Sequence, residues 1–205
     1  MKKTFFTLLI IVTSSIARAQ LIIDNTTQTP QQLAQNVLLG QGINISNIKF
    51  NGSAVNAGTV SDQIGKFDNG QGELSDAAAV LDWIQRQNPT TNESWIVGFS
   101  FGSLICMQLL MRRPEIYRFI AICPQPNIYD FNFLAPCPSS GMVLYASNDQ
   151  LVPQDATKAL ETKLKNQKSI NVDFVKIEGA NHFFAGKDKE FNTAIEKYIK
   201  KESRF

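Results

Sequence analysis

Residues 95–111 read WIVGFSFGSLICMQLLM, and this stretch decides the fold class. Trp95 to Phe99 is a short apolar run of strand length. Leu104 to Met111 is apolar nearly all round, as a helix packed against a sheet should be. Between them lies Gly98-Phe99-Ser100-Phe101-Gly102, a Gly-x-Ser-x-Gly pentapeptide at the point where strand becomes helix. Such a pentapeptide arises by chance in about one chain in fifteen of this length, with glycine and serine each at roughly 7% of residues. Position raises its weight. Flanking glycines let the backbone turn sharply there, which lifts the serine side chain above the sheet as a nucleophile elbow requires. The alternative is a glycine-rich turn whose serine is idle.

Outward from this stretch the chain alternates helix and strand. Upstream, Ala77, Val80, Leu81 and Ile84 recur at helical spacing, and Asn88-Pro89 ends that helix. Downstream, Phe119–Cys123 reads as a second strand closed by Pro124, and Met142–Ala146 as a third. Pro153 opens a helix to about Asn166, Val172–Ile177 is a fourth strand, and a last helix covers about Asp188 to Lys200. Strands separated by helices of this length predict an α/β fold, a parallel sheet flanked by helices.

A serine hydroxyl is a weak nucleophile at neutral pH and needs a base beside it. The chain has one histidine, His182, in a loop directly after the fourth strand. That is the sheet edge on which the elbow lies, and the position favours a base over surface decoration. The imidazole in turn needs an acid to hold its tautomer. Asp149 ends the third strand at the same edge; Asp155 is the nearby rival, inside the predicted helix. Read as a turn former, Asp149 would be ordinary loop chemistry. The order Ser100, Asp149, His182 is the one expected of α/β hydrolases, with the Phe101 backbone amide as an oxyanion donor and Gly98 and Gly102 shaping the elbow.

Bulk properties narrow the function classes. The chain has 205 residues, 43% of them hydrophobic, enough for one domain with a sizeable core. A net charge of +2 is too balanced for a nucleic-acid footprint, and no nucleic-acid partner is expected. Lys2 and Lys3, the apolar run Phe5–Val12 and Ala17-Arg18-Ala19 together read as a secretory signal over residues 1–19. The apolar run is too short to span a bilayer, so no stable membrane insertion is expected once the leader is removed. Residues 20–66 are a polar segment rich in Gly and Asn, with one or two short strands suggested around Ile43–Phe50. Cys106, Cys123 and Cys137 have no metal-type spacing and read as buried free thiols. One histidine and no clustered ligands imply no metal and no organic cofactor.

Several separated segments carry a family resemblance: FDNGQGELSDAAAVLDWIQRQNP (67–89), GFSFGSLICMQLLMRRPEI (98–116), FLAPCPSSG (133–141), NDQLVP (148–153) and GANHFF (179–184). In order and spacing they resemble a bacterial α/β-hydrolase family of small esterase-like proteins, over residues 67–205. The resemblance implies the α/β-hydrolase fold with Ser100, Asp149 and His182 in the triad positions, and a small-molecule ester as substrate. Members begin with strands carrying a His-Pro-His-Pro-x-x-x-Gly-Gly-type loop, which implies a second oxyanion donor. No such motif occurs here, which implies a partial fold with its amino-terminal strands missing or replaced, and impaired activity. Residues 1–60, through TPQQLAQNVLLGQGINISNIKFNGSA (29–54), instead resemble the start of exported Bacteroidetes choice-of-anchor domain proteins. Such a junction would bare an apolar edge on the Trp95–Phe99 strand. Residues 43–50 are expected to cover part of it, the alternatives being a homodimer through that edge or an aggregation-prone chain. The leader points to a periplasmic or secreted protein. If the amino-terminal segment does not belong to the hydrolase, the protein is expected in the cytoplasm.

Overall fold

The computed structural model describes residues 5–14, 18–23, 49–50, 53–54, 70–87, 89 and 91–202. Its strands are β1 (Phe5–Ser14), β2 (Arg18–Ile23), β3 (Lys49–Phe50), β4 (Ser53–Ala54), β5 (Thr91–Ser100), β6 (Ile116–Ile122), β7 (Gly141–Ala146) and β8 (Val172–Ile177). The helices are α1 (Gln71–Gln87), α2 (Phe101–Leu110), α3 (Gln154–Lys165) and α4 (Asp188–Glu202). Each element expected from residue 73 onward is present, with ends displaced by a few residues. Among the described residues, no helix is long and apolar enough to cross a membrane.

Six strands form one sheet in the order β2-β1-β5-β6-β7-β8. Strands β1, β5, β6, β7 and β8 run parallel, and β2 is antiparallel on the outer side of β1. Residues on successive strand positions point to opposite faces, so the two faces draw on alternate residues. Ile96, Phe119, Ala121 and Val143 face a cluster built with Leu81, Ile84, Ile105, Leu109 and Leu164 of helices α1, α2 and α3. Trp95, Val97, Ile120, Ile122, Met142 and Leu144 face Phe191, Ile195, Tyr198 and Ile199 of α4. Both faces are therefore covered, as near-continuous apolar strands demand.

The flank of β5 corrects one expectation. It is occupied by β1, paired in parallel from Phe5 opposite Thr91 to Thr13 opposite Ser100. The run that reads as a signal-peptide core is thus a strand of the sheet. Residues 43–48 lie outside the described residues, and Lys49–Phe50 pairs with Ser53–Ala54 in a separate two-stranded sheet, not with β5. The physical reason is length: β1 presents ten residues, with the apolar run Leu8–Val12 at its centre, to a ten-residue neighbour, whereas β3 offers two. The place beside β5 is filled by amino-terminal sequence that lacks the family's loop motif.

Candidate active site

Ser100 is the last residue of β5 and the residue before α2, with φ 54° and ψ −120°. A non-glycine residue at positive φ costs about 1–3 kcal/mol and persists only where its surroundings impose it. The imposing contacts are visible. A Cβ on Gly98 would lie 2.2 Å from the Gly102 carbonyl oxygen and 2.7 Å from Cys106 Cβ, so the turn closes only with glycine at 98. The buried Ser103 hydroxyl lies 2.9 Å from the Gly98 carbonyl oxygen and 3.0 Å from that of Ile122, stitching α2 to β5 and β6. The Ser100 hydroxyl makes no capping bond to its own helix. It lies instead 3.0 Å from His182 Nε2. The Phe101 amide begins α2, at the positive end of the helix dipole.

His182 lies in the loop between β8 and α4, and Asp149 in the loop between β7 and α3. The two loops are bonded to each other: the Asn148 amide donates to the Ala180 carbonyl (2.9 Å), and the Gly179 amide to Ser147 Oγ (2.7 Å). Asp149 Oδ2 is 2.8 Å from His182 Nδ1, and its Oδ1 accepts from the Leu151 and Val152 amides at 2.8 and 3.0 Å. Both side chains are buried. A carboxylate on Nδ1 draws the ring proton there and leaves Nε2 free to accept from the Ser100 hydroxyl. The ring also packs against Phe99 and Phe183, each with its centroid 5.2 Å away.

Burial pushes the Asp149 carboxyl up, but the hydrogen bond from His182, the Leu151 and Val152 amides and the nearby imidazole outweigh it. The net shift is downward from the ordinary value. A lowered folded-state value contributes stability above the unfolded value, and that contribution is lost as pH falls through the folded value. The difference in unfolding free energy between wild type and Asp149→Asn, from urea titrations at stepped pH, should therefore be constant near neutrality. It should shrink once pH drops below about 4, the ordinary carboxylate range. A difference that grows on acidification would contradict the assignment.

The three residues singled out by sequence thus meet in one chain of hydrogen bonds. Asp155 does not join them; it sits in the first turn of α3, where its Oδ1 accepts from the Ala156 amide. Two neighbours escaped the sequence reading as site residues. Cys123 follows β6 at φ 44° and its Sγ lies 3.6 Å from the His182 carbonyl oxygen. The signal was its place at the carboxyl end of a strand, the same rim as Ser100. Cys106, Cys123 and Cys137 are all free and buried. Burial pushes the Cys123 thiol well up, reinforced by the Asp149 carboxylate beside it. Ligand atoms of Cys123, Asp149 and His182 fall within 4.8 Å of one another. Here the carboxylate and imidazole are bonded to each other and the thiol is held protonated, a donor set suited to hydrogen bonding rather than to a soft cation. The second missed neighbour is Phe183, whose exposed ring edges His182.

Comparison with known proteins agrees with this architecture. The chain is 47% identical over 170 residues to an uncharacterized protein of Rickettsia prowazekii (strain Madrid E), covering 81% of this chain and 68% of that protein. It is 51% identical to a protein of unknown function from Agrobacterium tumefaciens classed with the α/β hydrolases, with a TM-score of 0.65 over 67% of this chain. The chain spans 63% of that structure's length. An α/β serine hydrolase without a lid from Xanthomonas campestris superposes over 100% of this chain and 87% of its own, with a TM-score of 0.68 and 21% identity, a likeness of fold. The dienelactone hydrolase family profile matches residues 36–203, starting upstream of residue 67 and running through Ser100, Asp149 and His182. With more than half of its length matched, the chain belongs to the dienelactone hydrolase family, within the α/β-hydrolase superfamily.

Proposed function

We propose that this hydrolase acts on small carboxylic esters through a covalent serine mechanism. The observation that carries the reading is the continuous hydrogen-bond chain from Ser100 Oγ through His182 to Asp149, at 3.0 and 2.8 Å. Ser100 Oγ attacks the ester carbonyl while His182 Nε2 takes its proton. Asp149 keeps the imidazole oriented and stabilises the imidazolium that forms. The tetrahedral oxyanion is met by the Phe101 amide. His182 then returns the proton to the departing alkoxide, leaving an acyl-enzyme on Ser100. Water, deprotonated by the same imidazole, cleaves that ester, and the proton goes back to Ser100. Every step uses groups of this chain and a water molecule.

The second oxyanion donor bears on rate. The loop that supplies it in relatives has no counterpart motif in this sequence, and residues 15–17, between β1 and β2, lie outside the described ones. One absent donor costs about 3 kcal/mol, or a hundredfold to a thousandfold in rate. The proposal is therefore of a slow esterase. A fluorophosphonate probe tests the chemistry independently of substrate choice, because it phosphonylates an activated serine. Wild-type protein should label stoichiometrically and Ser100→Ala should not label at all. Folded wild-type protein that stays unlabelled would favour an inactive scaffold instead.

A further inference from the structure

Among the described residues, four large hydrophobic side chains are exposed: Met111, Ile128, Leu151 and Phe183. Three of them border the candidate site. Phe183 follows His182, Leu151 carries one of the two amides bonded to Asp149, and Ile128 lies on the β6–β7 loop. That loop is tied to Leu151, whose carbonyl oxygen accepts from Asn127 Nδ2 at 3.0 Å. Exposed apolar side chains on the loops that carry a buried polar site are the composition expected at the mouth of a small-molecule site.

Phe183 is the most exposed of the four, at 63%, and its exposure is built in. The Asn181 side chain accepts from the Phe183 and Ala185 amides (3.1 and 3.0 Å), and the Phe184 amide donates to the Asn181 carbonyl at 2.9 Å. Phe184 adopts φ 54° and is buried against Phe191, ring centroids 4.7 Å apart. With its backbone held on both sides and its successor anchored in the core, the ring at 183 is fixed outward. It stands 5.2 Å from the His182 ring and 6.1 Å from Phe99, and Nε2 of that imidazole reaches Ser100. A fixed aromatic surface in water beside a reacting group gains by covering itself with apolar substrate.

Resting on the esterase reading above, we propose that Phe183 is a specificity-determining residue. Its ring, with Leu151 and Ile128, receives a bulky apolar acyl group, so that the substrates are esters of medium-chain or aryl-substituted acids rather than acetates. The occupant is the acyl group of a small ester, because each of the three apolar side chains lies beside a triad residue or on a loop bonded to one.

The test is kcat/KM on p-nitrophenyl acetate and p-nitrophenyl octanoate for wild type, Phe183→Ala, Phe183→Leu and Met111→Ala. Wild type should prefer octanoate. Phe183→Ala should lower the octanoate-to-acetate ratio about tenfold, a loss in line with removing one apolar contact surface from a pocket. Phe183→Leu should recover most of the preference, and Met111→Ala, remote from the site, should leave the ratio unchanged. A ratio unaltered in Phe183→Ala, or equal losses on both esters, would overturn the proposal while leaving the esterase reading intact. A changed elution volume with an unchanged ratio would overturn it by assigning the ring to a protein interface. Absence of turnover on either ester in wild type, with no fluorophosphonate labelling, would strike the esterase reading itself.

Discussion

Replacing His182 with alanine should lower kcat/KM on small carboxylic esters by about four orders of magnitude while leaving the fold cooperative. The size of the effect follows from how little else can do its work. His182 is the chain's single histidine, so no other imidazole can accept the Ser100 proton at neutral pH. A second titratable neighbour is the Cys123 thiol, which burial and the Asp149 charge push well above its ordinary value. It is already directed at the His182 carbonyl oxygen, 3.6 Å away. Asp149 cannot replace the ring, because its Oδ1 is held by the Leu151 and Val152 amides, which keep it on the far side of the imidazole. Residual turnover would come from the Phe101 amide and substrate binding alone. Fluorophosphonate labelling should slow in parallel, and the thermal melt should remain a single transition. If His182→Ala kept a tenth or more of the wild-type rate, the imidazole would not be the base and the proton inventory would need another acceptor.

Removing residues 1–19 should abolish the soluble, cooperatively folding protein. The cut deletes β1 outright and takes Arg18 and Ala19 from β2. It strips β5 of a partner bonded from Thr91 to Ser100, next to the strained elbow. Unpaired backbone N–H and C=O groups on a long apolar strand invite edge-to-edge association, and nothing else among the described residues pairs with that side of β5. The truncated chain is expected in aggregates on size exclusion, with no sigmoidal unfolding in urea. The experiment also weighs the two uses of the same stretch. A leader cleaved after Ala19 leaves the chain that the truncation mimics. A monomeric, cooperatively melting truncation that labels with fluorophosphonate would detach residues 1–19 from the sheet and return them to the export role.

The contrast between these two experiments shows what local sequence can carry. His182 was legible because it is the chain's single histidine, and Ser100 because it sits in a Gly-x-Ser-x-Gly pentapeptide, and both follow apolar strands. A strand end at a parallel sheet's carboxyl rim is a place that periodicity alone can locate. Gly98 was legible for a related reason: only a residue without Cβ fits against the Gly102 carbonyl, and the pentapeptide writes that constraint into the sequence. Phe183 and Cys123 were not legible as site residues, because the pattern says apolar and buried, and burial is the usual fate of both types.

The amino acid order by itself determined the α/β alternation from residue 73 onward, the sharp turn at Ser100 and which residue is the chain's single imidazole. Each rests on backbone sterics or on counting residues of one type, and both are local properties. Tertiary structure alone decided the rest. It decided that Asp149, bonded at 2.8 Å, and not Asp155 faces the imidazole. It aimed the Phe183 ring outward, and it placed the apolar run Phe5–Val12 in a strand beside β5. A largely apolar stretch of this length carries the same pattern in a leader and in a strand of a sheet. Only the hydrogen-bonding partner distinguishes the two, and that partner lies far along the chain.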